Sequence, residues 1–495
     1  MKEHFFYKGR NNILDNKPSY DEKVFEVRKE FSKILDIRNL TFLMGSGCSM
    51  GEFGIPTMKK FADVFFDSSD EEIKKMSDNQ KKLLLKDSHK KTLKENNIDY
   101  LKQPFRDNLE TFLGTLYSLK FYLNQINNSS AVKEIEEVIL QTKRFILYKC
   151  LNEENSEKDE AIINVYKNFY RKLSLRDSNL PKANIVTTNY DLYSEKTLDQ
   201  LGITYTNGFS GFVERYFNPS IFNYALAEQM DISSFKWNII DNFIYLFKIH
   251  GSVNWLEVEE TTKLFNVKEV QDVNYDKLKE ENNIMIYPSP IKQNSSLGSP
   301  YSDLFREFQK RITQNESVLV TMGYSFSDEH INNLIYQALT IPTFRLVIFS
   351  DLKFNSEDGN VNERENIKKL LDLNDPRIWI IGTNILELDK NEEDVSTPES
   401  DKKSNIESSD VESFEENTSV EKSEEDGSTS ESEEHTTAVE IKNKEFGSGE
   451  DPLHFFGTIS GNLMPDWSEN QIEDKNQNII NLLNKNKTPK QSDND

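Results

Sequence analysis

Two textures alternate along most of the chain. Short apolar runs bounded by Gly, Ser, Asn or Pro occur at Leu40–Met44, Asn184–Thr188, Ile244–Ile249, Ile284–Tyr287, Val318–Met322, Arg345–Phe349 and Ile378–Ile381. Runs of this length without polar alternation read as strands buried on both faces, as in a parallel sheet. Longer amphipathic segments lie between them. Val24–Leu35, Ser302–Ile312 and Asp328–Leu339 carry apolar positions at the helical period. The alternation predicts an α/β fold, with a Rossmann-like, mostly parallel sheet and helices on both faces. One interval breaks the pattern. From about residue 57 to 181 no strand is evident, and Met58–Phe66, Asn108–Ile126, Val132–Tyr148 and Glu160–Leu173 predict a large helical insertion between the first two strands.

The pattern also divides the chain. Residues 1–39 read as an N-terminal helical extension and residues 40–390 as the main domain. Residues 391–440 hold 18 Asp and Glu against 3 Lys, with almost no large apolar side chains. Such a stretch cannot bury enough area to offset chain entropy, so residues 391–450 are expected to form a disordered acidic linker. Apolar order returns at Leu453, Phe455, Phe456, Ile459, Leu463 and Trp467, and Ile472, Ile479, Ile480, Leu482 and Leu483 suggest a further helix. A piece this short rarely folds alone, so residues 451–495 are expected to dock on the main domain.

Composition narrows the function classes. A net charge of −24 argues against a general nucleic-acid binder, since phosphate repulsion would act over the whole surface. The Lys-rich start of the insertion, Lys74 to Lys94, leaves a local polyanion contact open. With 2 cysteines, Cys48 and Cys150, a four-thiolate zinc site and a disulfide scaffold are both excluded within one chain. No stretch is long and apolar enough to span a bilayer, and the first residues carry no secretory pattern, so a cytoplasmic protein without membrane contact is expected.

Four polar turns follow predicted core strands. Gly45-Ser46-Gly47-Cys48-Ser49 follows the first, with Gly54-Ile55-Pro56 close behind. Gly-rich turns at this place let backbone N–H groups approach a pyrophosphate, although an ordinary tight turn has the same composition. Thr187-Thr188-Asn189-Tyr190-Asp191 offers an amide and a carboxylate, or simply a helix cap. His250, before Gly251, sits where a general base would, and where a satisfied core histidine would also sit. Gly323-Tyr324-Ser325-Phe326-Ser327-Asp328 closes a strand and opens a helix, with Ser327 or Asp328 as a cap. Each turn has an unremarkable reading. Their joint placement on one edge of a sheet is how a nucleotide crevice is built.

The constellation resembles the sirtuin superfamily, and within it the sirtuin-like domains of bacterial antiphage defence proteins. The family's Gly-Ala-Gly-x-Ser and Gly-Ile-Pro are matched by Gly45, Gly47, Ser49, Gly54, Ile55 and Pro56. Its Asn-Ile-Asp is matched by Asn189 and Asp191, its His-Gly by His250 and Gly251, and its later Gly-Thr-Ser by Gly323 and Ser325. The family's deacylases also carry a four-cysteine zinc ribbon, which this chain cannot build. Their Gly-Ile-Pro continues Asp-Phe-Arg, whereas here it continues Thr57-Met58-Lys59.

The resemblance therefore implies an NAD glycohydrolase, with NAD as substrate, no zinc, and water in place of the acyl oxygen. Catalysis would fall to Asn189 and His250. Gly45, Ser46, Gly47, Ser49, Pro56, Thr188, Asp191, Gly323 and Ser325 would hold the nucleotide, with Asp191 at the nicotinamide carboxamide. A deacylase and a non-catalytic sensor of NAD or ADP-ribose are the alternatives. The resemblance further implies a homo-oligomer. In some relatives it implies a partner, such as a hexameric DNA-translocating ATPase or a phage-derived activator.

Overall fold

Eleven strands hydrogen-bond into one sheet at the centre of the computed structural model. The structure describes residues 2–156, 158–177, 179–231, 236–240, 243–258, 266–279, 284–286, 299–355, 361–386 and 451–465. The acidic stretch and the apolar positions from Trp467 onward lie outside these residues. Numbered in chain order, the sheet strands are β1 (Lys2–Lys8), β2 (Asn11–Asn12), β3 (Asn39–Met44), β4 (Asn184–Thr187), β5 (Thr204–Thr206) and β6 (Phe243–Lys248). They continue with β7 (Ser317–Met322), β8 (Arg345–Phe349), β9 (Lys353–Asn355), β10 (Val361–Glu363) and β11 (Ile378–Ile385). The spatial order is β10-β9-β11-β8-β7-β3-β4-β6-β5. Every pair from β11 to β5 is parallel. This is the α/β, mostly parallel sheet that the apolar runs predict.

Alternation along β3 divides the two faces. Leu40, Phe42 and Met44 point into one core layer, with Phe42 edge-on to Phe169 of the insertion at 5.2 Å. Leu43 points into the other layer, with Val186, Phe247, Leu319 and Ile348. Each of these side chains is essentially sealed from solvent. Burial of this kind contributes about 1.5–3 kcal/mol per side chain.

The insertion contains helices joined by turns, and no strand, among its described residues. Helix α1 (Tyr20–Leu35) precedes β3, and α2 (Met58–Asp67), α3 (Asp70–Lys75), α4 (Asp78–Leu83), α5 (Asp87–Glu95), α6 (Leu109–Gln125), α7 (Ser129–Leu151) and α8 (Glu160–Ser174) separate β3 from β4. Helix α9 (Tyr193–Leu201) follows β4, and α10 (Tyr301–Ile312) and α11 (Glu329–Leu339) flank β7. The caps are local. Ser19 accepts from the Glu22 N–H, Thr57 from Lys60 and Asn108 from Glu110.

Two expectations fail. The N-terminal extension is not wholly helical, because β1 pairs antiparallel with β11 from Lys2↔Ile385 to Lys8↔Trp379. Its apolar content is only Phe5, Phe6 and Tyr7, and its partner lies more than 370 residues away. The run at Ile284 is a strand, Ile284–Ile286, but it does not join the parallel sheet. It pairs antiparallel with Gly251–Glu257 in a separate five-stranded sheet. The chain turns at Gly251 (φ +97°) and starts this second sheet at once. An apolar run alone does not specify which sheet takes it.

Residues 451–465 pack against α1, α8 and β11. Tyr20 Oη donates to the Asp451 carbonyl at 2.8 Å, and Lys172 Nζ donates to the carbonyls of Gly461 and Met464. The Leu453 N–H donates to Thr383 Oγ1 at 3.0 Å. Leu453, Ile459 and Leu463 are fully buried.

Candidate functional site

The carboxyl ends of four neighbouring strands are level with one another. Met44 pairs with Thr187 and with Met322, and Thr187 pairs with Lys248. The turns singled out from sequence therefore emerge side by side from β3, β4, β6 and β7. In open parallel sheets this edge is where ligands bind, at the point where strand order reverses. Here the order reverses at β3, which has β4 on one side and β7 on the other.

The glycines of two turns interlock. The Gly45 N–H donates to the Met322 carbonyl at 2.9 Å, and the Gly47 N–H to the Gly323 carbonyl at 3.0 Å. A Cβ on Gly45 would lie 2.4 Å from the Gly323 oxygen. Gly323 has φ +60°, and a Cβ there would lie 2.5 Å from the Cys48 nitrogen. These three glycines hold two loops against each other, a closer constraint than a lone tight turn would need.

Asn189 sits at the centre. Its Nδ2 donates to the Gly45 carbonyl at 3.1 Å and to Ser49 Oγ at 3.0 Å. Its backbone N–H donates to Thr187 Oγ1, whose own hydroxyl bonds the Met44 carbonyl. Its Oδ1 is buried and has no hydrogen-bond partner among the described residues. A buried amide oxygen left open costs about 1–3 kcal/mol, so a water or a ligand donor would be favourable there. Asp191 is committed inward. Oδ2 accepts from Ser49 Oγ at 2.8 Å, and Oδ1 accepts from the Tyr193 N–H at the start of α9.

His250, in the turn that follows β6, is 8% exposed, and its Nε2 lies 3.0 Å from Asp328 Oδ2. Asp328 caps α11 through the Ile331 N–H with its other oxygen. Burial alone pushes the imidazole pKa down. The Asp328 hydrogen bond and the charges of Glu110 and Asp328 outweigh it, so the net shift is upward. Burial acts on Asp328 in the opposite sense, but its bond and charge contact with His250 hold the carboxyl below the usual range. With Nε2–H given to Asp328, Nδ1 is the nitrogen left to accept a proton.

Thr188 is half-buried and its N–H donates to the Met44 carbonyl. Ser46, Pro56 and Ser325 face solvent at the rim, with Ser325 Oγ 2.9 Å from Ser327 Oγ. The structure thus brings Asn189, His250, Ser49, Asp191 and the interlocked glycines to one edge, with Ser46, Pro56 and Ser325 outside them. Beside Asp191 and Ile55 lies a cavity of about 50 Å³, also lined by Cys150, Tyr193 and Lys196. It holds little more than water, whereas small-molecule sites run to about 300–1,000 Å³.

Sequence reading missed four contributors. Asp328 was legible as a helix cap, not as the partner of His250. Glu110, which accepts from Tyr190 Oη at 2.5 Å, comes from the insertion. Lys248 is fully buried, and its Nζ donates to the carbonyls of Tyr190 and Asp191 and to Glu195 Oε1 at 2.9 Å. A lysine inside an apolar strand was the available signal, because such a charge must find partners. Tyr166, whose Oη is 2.9 Å from Ser49 Oγ, carried no signal. Burial and the charge of Asp191 push the Cys48 thiol up, so it is no nucleophile.

Residues 183–349 match the family model described as the SIR2-like domain. The matched span runs from the approach to β4 through the end of β8. It contains Asn189, Asp191, His250, Gly323 and Asp328, but neither the Gly45–Pro56 turns nor the insertion. No match is found among curated proteins. The match supports a sirtuin-like assignment for this part of the sheet and NAD-related chemistry in general. Among the described residues, no three His, Cys, Asp or Glu side chains converge as a metal site, and no helix is long and apolar enough to cross a membrane.

Proposed function

We propose that this protein is an NAD glycohydrolase that cleaves the nicotinamide–ribose bond with water, releasing nicotinamide and ADP-ribose. The observation that supports it most directly is the buried Oδ1 of Asn189, without a partner among the described residues and held on the same sheet edge as the His250–Asp328 pair. The N-glycosidic bond breaks with its electron pair going to nicotinamide and positive charge developing on the ribose. Such a transition state needs positioning and a shielded polar site more than a strong nucleophile. Asn189 Oδ1 accepts a ribose hydroxyl or the attacking water. His250 Nδ1 takes a proton from that water or hydroxyl, and Asp328 stabilises the imidazolium that forms. Gly45, Ser46, Gly47 and Ser49 belong to the pyrophosphate end in this reading, and Gly323 and Ser325 to the adenosine end. Asp191 reaches the carboxamide only if it releases Ser49.

The resemblance to antiphage defence proteins extends the reading to NAD depletion in infected cells, carried out by a cytoplasmic homo-oligomer under the control of a partner or a phage component. The test is incubation of the purified chain with NAD, with and without phage extract, and identification of products by mass spectrometry. Nicotinamide and ADP-ribose, lost in Asn189→Ala and His250→Ala, support the proposal. Wild-type turnover by both variants overturns the site. A second reading, an NAD or ADP-ribose sensor, predicts saturable binding without product.

A further inference from the structure

We infer that Tyr166 is a positioning residue of this site, and that residues 451–465 act on the site through it. The inference rests on the nucleotide reading only for its kinetic arm.

Ser49 Oγ has three neighbours within hydrogen-bond reach, namely Asp191 Oδ2, Asn189 Nδ2 and Tyr166 Oη. A hydroxyl has one proton and two lone pairs. The proton goes to the Asp191 carboxylate, which only accepts. Ser49 must then accept from both the Asn189 amide and Tyr166, so Tyr166 is the donor and the hydroxyl is saturated. This saturation fixes the Ser49 rotor. The rotor in turn keeps Asn189 Nδ2 on Ser49 and Gly45, and with it fixes where the buried Oδ1 lies. Without the phenol hydroxyl, Ser49 can turn away from Asn189 and the amide loses one of its two anchors.

Tyr166 lies on α8, in the insertion, and is 1% exposed. Its ring is set by aromatic neighbours. Phe456 meets it edge-on at 5.0 Å and 73°, and Tyr193 lies at 5.8 Å. Phe456 also packs on Phe169 at 5.4 Å. The segment that carries Phe456 is clipped down by the Leu453 N–H on Thr383 and by His454, which accepts from the Thr383 N–H. That bond needs a neutral ring, and burial holds the His454 pKa down to about 4. Contacts therefore run unbroken from the C-terminal segment to the Asn189 amide. Phe456 is their outer member and Tyr166 the hinge.

The test uses full-length variants. Tyr166→Phe keeps the ring and removes the hydroxyl. It is expected to lower kcat for NAD about tenfold, the weight of one such hydrogen bond, with KM within about twofold and little change in melting temperature. Phe456→Ala is expected to act in the same direction, Phe456→Leu to recover most of the rate, and Phe455→Ala, on the outer face, to change nothing. The Tyr166→Phe/Phe456→Ala double variant should be no slower than the worse single variant. Amide hydrogen exchange without substrate supplies an independent readout, with faster exchange expected at residues 45–56 and 188–193 in Phe456→Ala. If the protein cleaves no NAD, this exchange change alone upholds the positioning role while the nucleotide reading falls. Unchanged exchange in those segments, a wild-type rate in Tyr166→Phe, or multiplying effects in the double variant overturn it.

Discussion

His250 and Asp328 meet at 3.0 Å across the top of the sheet, although β6 and β7, the strands that deliver them, are separated by β4 and β3. Three inter-strand spacings amount to about 14 Å, so the six-residue turn from Gly323 to Asp328 is what carries the carboxylate over to the imidazole. The pair lies on the sheet edge that also carries Asn189, and Asp328 sets the charge of the His250 imidazole.

A pH profile follows from that pair. His250 has a raised pKa, so as a base it works only once the pH passes that raised value. The acid limb of kcat/KM should therefore lie above the usual imidazole range. Asp328→Asn removes the largest upward influence and leaves burial dominant, so the limb should move to lower pH. The stability sign is separate. The His250 contribution is complete below the ordinary imidazole value and is lost as pH rises through the raised one. The Asp328 contribution is present above the ordinary carboxyl value and is lost as pH falls through the lowered one. Thermal melts of wild type and Asp328→Asn should differ most in the mildly acidic window between these values and converge at alkaline pH. Equal limbs in the two proteins would remove His250 as the titrating base.

Asn189→Ala deletes two hydrogen bonds and the open oxygen together. Turnover should fall about 100-fold or more, as for removal of a single preorganised polar group from an active site. Stability should fall by only about 1–3 kcal/mol, checked by urea titration alongside the assay.

Gly323 and Gly202 separate two costs that are usually mixed. Both are left-handed, at φ +60° and +64°, but only Gly323 has backbone within 2.5 Å of a would-be Cβ, while Gly202 has nothing within 4 Å. Gly202→Ala should cost about 1 kcal/mol from the dihedral angle alone. Gly323→Ala should cost at least about 2 kcal/mol more, because the Gly45–Cys48 turn has to move. Denaturant midpoints of the two variants check this.

Lys248→Met would leave the Glu195 carboxylate buried without its cation, beside an Asp191 carbonyl that has lost the ammonium and a Tyr190 carbonyl that keeps the Val253 N–H and the Ser252 hydroxyl. A loss of about 3–5 kcal/mol is expected, measured by chemical denaturation. Lys248→Met/Glu195→Leu should recover part of it, since the uncompensated charge is gone while the carbonyls of Tyr190 and Asp191 still lack the ammonium.

The centre of the sheet was legible because β3, β4, β6, β7, β8 and β11 contain unbroken apolar runs, whereas the short polar strands β2, β5, β9 and β10 carry no such signal; the turns after β3, β4, β6 and β7 were legible because Gly, Asn and His there have no reason to be in a core. What the sequence hid was distance. Lys2–Lys8 offers three aromatic residues between charges, and nothing local says that its partner is Ile378–Ile385. Ile284–Ile286 has the same texture as the parallel strands, yet Gly251 had already turned the chain into another sheet. Asp328 met every local requirement of a cap, so its second role was invisible until His250 was placed. Tyr166 is one tyrosine among many on an amphipathic helix, and only the position of Ser49 distinguishes it.

The β1–β11 pairing has a consequence for how the chain is made. β1 is made more than 370 residues before β11 and until then has only Asn11–Asn12 to pair with, and Thr383, which His4 contacts at 2.8 Å, also receives the Leu453 N–H. Until β11 is made most of β1 lacks its partner, so a nascent or truncated chain presents a sticky margin, and the finished seam is a late event in assembly.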